Sequence, residues 1–278
     1  MVDEAQEATV DSHSTDRNGE DRAGDQGTLA RLAGKVCVIA GAAGVMGEAA
    51  AERLGSEGGT VVGIDQIEHS VGALSLRVDL RVEAEVERAF ARIHHEFGRI
   101  DVLLNNAGLN DPEDHSALDM SEETWDRVLA SNLTTTFLSC KHGIPYMLMN
   151  DPPSGSVINT GSFLAGMGAA TSQMAFSAAK AAVIQLSRDL GTHLARRGVR
   201  VNALCLGPIE TPHLQHLFDS LPPDELPKRL IHYPMGRFGT LQEFAGTVAY
   251  LASDDSGFVT GSSFPINGGI TTAFTVPS

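Results

Sequence analysis

Three glycines and one acid are the first residues in this chain whose types and spacing could do chemistry. In VIAGAAGVMGEAAAERL, residues 38–54, an apolar run gives way to Gly41, Gly44 and Gly47 and then to a helical pattern. Glycines let a backbone turn tightly and approach a pyrophosphate, which then sits on the amino end of the following helix. The next apolar run, TVVGID, ends in Asp65, 24 residues after Gly41. An acid there can accept both ribose hydroxyls of an adenosine and would repel a 2′-phosphate, so the pattern favours NAD over NADP. Glycine-rich turns are common, and an acid after a strand can be an ordinary loop residue. The strand–turn–helix context is what raises the ligand reading.

Other reactive residues offer less. Cys37, Cys140 and Cys205 stand far apart in apolar surroundings with no CxxC, which reads as buried free thiols in a reducing compartment, the cytoplasm. Ten histidines include no HExxH and no Cys/His ligand spacing, so no metal site is expected; His94 and His95 are neighbours on a predicted helix and point in different directions.

These residues need elements to hold them. Runs at 35–40, 60–65, 73–79, 101–108, 155–162 and 199–207 are rich in Val, Ile and Leu, as strands buried on both faces are. Helical patterns lie between them, one at 85–98; before another, Ser121 is placed to cap a first turn carrying Glu122 and Glu123. Strand–helix alternation predicts right-handed βαβ units and a doubly wound parallel sheet, a Rossmann-like α/β/α sandwich. Residues 28–278 are expected to form one domain. Residues 1–27 carry eight acids against two arginines, no aromatic residue and no apolar period, and are expected to be a disordered acidic tail without catalytic duty. Residues 208–236, proline-rich and without a clear period, read as a lid or binding loop.

The bulk numbers exclude several partners. Hydrophobic residues make up 42% of the 278, enough for a sizeable core, yet no run approaches a transmembrane span. A formal charge of −15 argues against nucleic acid and anionic membrane surfaces and fits a small-molecule partner.

From about Leu32 to Gly269, the motifs resemble those of the short-chain dehydrogenase/reductase family. AGAAGVMG (40–47) is similar to the family's phosphate turn TGxxxGxG, and NNAG (105–108) to its sheet-supporting motif beside the adenosine. Asp79 in RVDL matches the acid that contacts adenine, and Asn132 in SNLTTTFL the catalytic asparagine. Ser162 in INTGSFLAG matches the catalytic serine and Lys180 in FSAAKAAV the lysine of YxxxK. LGPIET (206–211) resembles the PG motif, whose following residues hold the nicotinamide amide, and INGG (266–269) the terminal strand. Any one could be chance; so many in order are specific. The resemblance implies NAD bound by Gly41, Gly44, Met46, Gly47, Asp65, Asp79, Leu80, Asn106, Ala107, Gly108, Lys180, Gly207, Ile209 and Thr211. It also implies a tetramer, or a dimer, assembled through two helices and the last strand.

Three positions depart from the family pattern. Val45 replaces the middle glycine of the turn, where its side chain is expected to push the pyrophosphate outward. Leu206 replaces a proline and loosens a fixed φ. Phe176 stands where the family has the tyrosine that moves the proton, one helical turn before Lys180 on the same face. Phenylalanine cannot donate, accept or ionise, and losing a positioned acid–base group costs ~10²–10⁴-fold in rate. The catalytic set implied by the resemblance is therefore Asn132, Ser162, Phe176 and Lys180 without a phenol.

Several readings stay open: an oxidoreductase with another proton route, a catalytically silent NAD-binding or regulatory module, an introduced Tyr-to-Phe trap, or a non-redox reaction. The proton could pass through Ser162, water and Lys180, or through His213, His216, His232 or Tyr233 of the lid. The redox reading leads, because Asn132, Ser162, Lys180 and Asp65 are all kept. Phe163, Leu164, Met167, Met174 and Leu206, with Gln173, suggest a moderately apolar alcohol or ketone. No Arg or Lys cluster is there for a phosphate or carboxylate.

Overall fold

The apolar runs become strands because their Val, Ile and Leu side chains can be covered on both faces only inside a parallel sheet. The computed structural model describes residues 30–169, 172–219 and 225–272. The acidic stretch 1–27 lies outside them. Strands β1 (Val36–Ala40), β2 (Thr60–Asp65), β3 (Leu74–Arg77), β4 (Val102–Asn105), β5 (Gly155–Ser162), β6 (Val199–Leu206) and β7 (Ser263–Ile266) form one sheet in the order β3-β2-β1-β4-β5-β6-β7. All pairs are parallel; Val38 sits opposite Val62 on one side and Leu103 on the other. The expected doubly wound sheet is observed.

Helices α1 (Val45–Ser56), α2 (Glu83–Phe97), α3 (Glu122–Leu129), α4 (Thr135–Leu148), α5 (Met174–Leu194), α6 (Pro212–Asp219), α7 (Glu225–Leu230) and α8 (Leu241–Ala252) connect the strands or follow them. One apolar cluster joins the sheet to Phe90 and Ile93 of α2 and Ile144 and Met147 of α4. The other joins it to Leu54 of α1 and Phe244 and Val248 of α8. Strand order reverses at β1, which lies between β2 and β4, so the crevice at the carboxyl ends of β1 and β4 is where a ligand site is expected in such a sheet.

Element ends shifted for local reasons. The run 101–108 leaves the sheet at Asn105, because the amides of Asn106 and Ala107 both donate to the Ala40 carbonyl, at 2.8 and 2.9 Å, and turn the chain across β1. The last strand ends at Ile266, the first residue of INGG: Gly268 and Gly269 have φ of 61° and 86°, which closes a turn instead. Ser121 caps α3 as expected, accepting from the Thr124 amide at 3.1 Å. Within 208–236, the described residues hold α6 and α7, so the segment is more regular than its prolines suggested; Pro212 opens α6, where a missing N–H does no harm. Cys37 and Cys140 are buried free thiols, pushed up to about 12 by desolvation, whereas Cys205 is partly exposed rather than buried. Among the described residues, no helix is long and apolar enough to cross a membrane, and no group of His, Cys, Asp and Glu is placed to hold a metal ion.

Candidate active site

A cavity of about 1490 Å³ opens at the reversal point. One end is built on Gly41 and Gly47, where no Cβ fits. Gly41 has φ of 89°, and a Cβ there would lie 2.4 Å from the Ala107 nitrogen. Gly47 packs under the turn: its Cβ would meet the Gly41 carbonyl at 2.3 Å, and it does not line the cavity. Its service is to let α1 approach the turn. Gly44 is the N-cap of α1 and offers no side-chain cap, so the positive end of the helix faces the cavity beside Gly41, Ala43, Val45 and Met46. This cradle fits a pyrophosphate. Val45 is 38% exposed and lines the same opening, putting its side chain where the family pattern has none.

Asp65 ends β2 and lines the cavity. Its Oδ2 accepts from the Ala43 amide at 3.0 Å and its Oδ1 from the Ile67 amide at 3.1 Å, which ties the acid to the phosphate turn and keeps spare acceptor capacity. Asp79 and Leu80 line the same end. The Asp79 carboxylate accepts from Arg81 at 2.8 and 2.9 Å, and this pairing lowers its pKa. Asn106 donates to the Gly41 carbonyl at 3.2 Å, so NNAG braces the turn as well as the sheet. Inside the sheet Asn105 donates to Asn159 at 2.8 Å.

The other end gathers Asn132, Ser162, Phe176 and Lys180 on one wall system. Ser162 is the last residue of β5 and is 7% exposed; its Oγ accepts from the Leu164 amide at 3.2 Å. Asn132 sits in a π turn, Ala130–Thr134, between α3 and α4. Its side-chain amide donates to the Leu109 and Val128 carbonyls at 2.9 and 3.0 Å and its oxygen accepts from the Leu109 amide at 3.2 Å. Those side-chain atoms are committed to the protein backbone, so the residue pins the loop after β4. Gly108 runs between it and the lysine: a Cβ there would be 2.8 Å from Asn132 Oδ1 and 3.4 Å from Lys180 Nζ.

Lys180 is 4% exposed and donates to the Thr160 carbonyl at 2.9 Å. Burial pushes its ammonium down to about 8. Its Nζ lies 5.6 Å from the centre of the Phe176 ring, one turn back on α5. Beyond β6, Leu206, Gly207, Ile209 and Thr211 line the cavity. Gly207 must be glycine because a Cβ would come within 2.7 Å of the Asn267 Cα, which locks this loop to the turn after β7.

Phe163, Leu164, Met167, Gln173 and Leu206 line the same cavity. Met174 does not: it starts α5 with its side chain 45% exposed, and its sulfur accepts from the Ala117 amide at 3.1 Å. Of the four groups expected to serve in a lid, His232 and Tyr233 line the cavity, His216 is exposed and does not line it, and the His213 side chain lies outside the described residues.

One residue escaped the sequence reading. Asp114, 3% exposed in the loop after β4, accepts from the amides of Ala175 and Phe176 at 3.0 and 2.8 Å. It stands 61 residues before Ala175, and no local spacing announces it.

Comparison with known proteins agrees with this fold. A family model described as enoyl-(acyl carrier protein) reductase matches residues 41–271. A 3-oxoacyl-[acyl-carrier-protein] reductase of Thermotoga maritima is 35% identical over 252 residues, covering 86% of this chain and 99% of that protein. The 2-(S)-hydroxypropyl-CoM dehydrogenase 3 of Xanthobacter autotrophicus is 34% identical over 255 residues, covering 87% and 98%. A crystal structure of a short-chain dehydrogenase/reductase from Burkholderia xenovorans superposes with a TM-score of 0.81 at 30% identity, over 87% of this chain and 98% of that one.

Proposed function

The chain belongs to the short-chain dehydrogenase/reductase family of oxidoreductases, and from that premise we propose that it interconverts an alcohol and a ketone of a moderately apolar small molecule with NAD(H), by a proton route that uses no tyrosine phenol. The observation that carries this reading is the meeting of Asn132, Ser162 and Lys180 in the same cavity as Asp65 and the α1 amino end. A bound nicotinamide supplies or accepts the hydride. The chain's own residues do the rest.

Gly41, Gly44 and Met46 hold the pyrophosphate at the α1 terminus, and Asp65 accepts from the adenosine ribose hydroxyls. A second negative charge there would face the Asp65 carboxylate, which supports NAD over NADP. Asp79, Leu80, Asn106, Ala107 and Gly108 flank the adenosine and ribose; Gly207, Ile209 and Thr211 enclose the nicotinamide. Lys180 binds the nicotinamide ribose. Ser162 holds the substrate oxygen. In ketone reduction the Lys180 ammonium, pushed down to about 8 by burial, releases a proton that water or the Ser162 hydroxyl carries to that oxygen. In alcohol oxidation the proton runs back. Phe163, Leu164, Met167 and the Phe176 ring give the pocket its apolar walls.

Phe176 also favours a second reading, an NAD-binding protein that does not turn over. Both readings need the cofactor. Fluorescence titration with NADH is expected to show binding, with NADPH much weaker; no NADH binding would remove both. The same proposal treats residues 28–278 as one domain with its lid at about 208–236, the tail as free of catalytic duty, and the assembly as a cytoplasmic tetramer or dimer. In it Phe176 occupies the position that carries the family's tyrosine.

A further inference from the structure

α5 carries Phe176 and Lys180, yet it does not cap itself. Its N-cap residue is Gln173, at φ −159° and ψ 63°, and no Gln173 side-chain bond satisfies the first-turn amides. Those orphan donors would be costly to leave unmade beside an apolar pocket. Asp114 reaches in from the loop after β4 and takes two of them, Ala175 N at 3.0 Å and Phe176 N at 2.8 Å, one on each carboxylate oxygen. A buried carboxylate at a helix amino end also gains from the macrodipole.

The loop that delivers Asp114 is itself clamped. Arg127 of α3 donates to Asp111 at 2.7 Å and to Glu113 at 2.9 Å, and Thr124 donates to Glu113 at 3.2 Å. The Asp111 carboxylate also accepts from the Glu113 amide at 3.0 Å, and the Asp114 amide donates to the Asp111 carbonyl at 3.0 Å, so the turn 111–114 is tied at every step. Ala117 adds its amide contact to the Met174 sulfur. α3, this loop and the first turn of α5 are therefore one connected unit.

We infer that Asp114 is a positioning residue of the active site: held by the Arg127 clamp, its carboxylate fixes where α5 begins and thereby where the Phe176 ring stands against Ser162 and Lys180. The inference rests on reading α5 as the catalytic helix. A displacement of an ångström in such a wall costs ~10²-fold when reacting atoms must be aligned.

The test compares the wild-type protein with Asp114→Ala, Asp114→Asn and Arg127→Gln by amide hydrogen exchange and by steady-state turnover with NADH. Asp114→Ala is expected to lose protection at Ala175 and Phe176 while the later turns of α5 keep theirs, and to lower kcat by about 10–100-fold with NADH affinity unchanged. Asp114→Asn keeps one acceptor and should fall between, which preserves a readout if the alanine variant does not fold. Arg127→Gln should act in the same direction, and combining it with Asp114→Asn should give less than the sum of their effects. Unchanged protection at Ala175 and Phe176 in the Asp114 variants overturns the inference, as does lost protection with wild-type kcat. Absent wild-type turnover would instead sink the redox proposal, and hydrogen exchange would still decide the cap.

Discussion

Lys180 joins the proton chemistry to a measurable pH. Burial depresses its folded-state value from the ordinary 10.5 to about 8. The native state then gives up its proton first, so between pH about 8 and 10.5 the unfolded chain holds the extra proton and stability rises with pH; below about 8 the burden of the buried ammonium is fully present. Above about 9 the raised Cys37 and Cys140 thiols pull the other way, so the reading is a difference: denaturant melts across that window should show wild-type stability rising relative to that of Lys180→Met. If the ammonium is the acid for ketone reduction, kcat should fall as pH passes about 8, and a flat profile to pH 9 would speak against that role. Asp65→Asn should weaken NADH by about tenfold or more, because a charged acceptor of ribose hydroxyls becomes neutral, while narrowing the preference over NADPH; calorimetry with both cofactors reads it. Residues at this scale were legible where the motif is contiguous with its strand or helix. Gly41 and Asp65, read from their spacing, and Ser162 and Lys180, read through the family resemblance, all line one cavity. Asp114 was not legible, since its partners lie in another element and only the fold brings them together.

At the scale of elements, the phosphate turn and the helices answer to different physics. Gly41→Ala puts a side chain at φ of 89° and 2.4 Å from the Ala107 backbone, so NADH binding should be lost or the fold compromised; wild-type affinity in a folded variant would contradict this packing. α8 begins with a capping box, in which Thr240 Oγ1 accepts from the Glu243 amide and Glu243 from the Thr240 amide, and Arg237 pairs with Glu243 on the surface. Thr240→Ala should cost about 1 kcal/mol in a denaturant melt and leave kcat alone, because the cap lies outside the catalytic wall. The six strand runs were readable because a strand buried on both faces has to be continuously apolar. β7 was readable only through resemblance, and three residues late: Ser263–Ile266 is short and partly exposed, so it carries no apolar signature of its own. The helices of 208–236 were hidden by prolines, which mark breaks in a helix interior but are at home at its first residue, as Pro212 is.

For the whole molecule, the seven-stranded parallel sheet and the cavity at its point of reversal give an oxidoreductase frame with the Phe176 ring on the cavity wall, at the position that we propose corresponds to the family's acid–base tyrosine. Two of its features bear on the proposed assembly. β7 ends the sheet on one side, and Phe137 leaves 47% of its surface open on α4. Sedimentation equilibrium is expected to return the mass of a tetramer or dimer, and a monomer at micromolar concentration would refute that part of the proposal. The central claim is that this frame still moves a hydride without a phenol. It is tested most directly by NADH oxidation in purified wild type and Phe176→Tyr against one panel of moderately apolar ketones. The account predicts measurable turnover by wild type on at least one ketone, and a gain of about 10²-fold or more when the phenol is restored. Turnover by Phe176→Tyr with none by wild type would contradict it and leave a cofactor-binding protein in place of an enzyme.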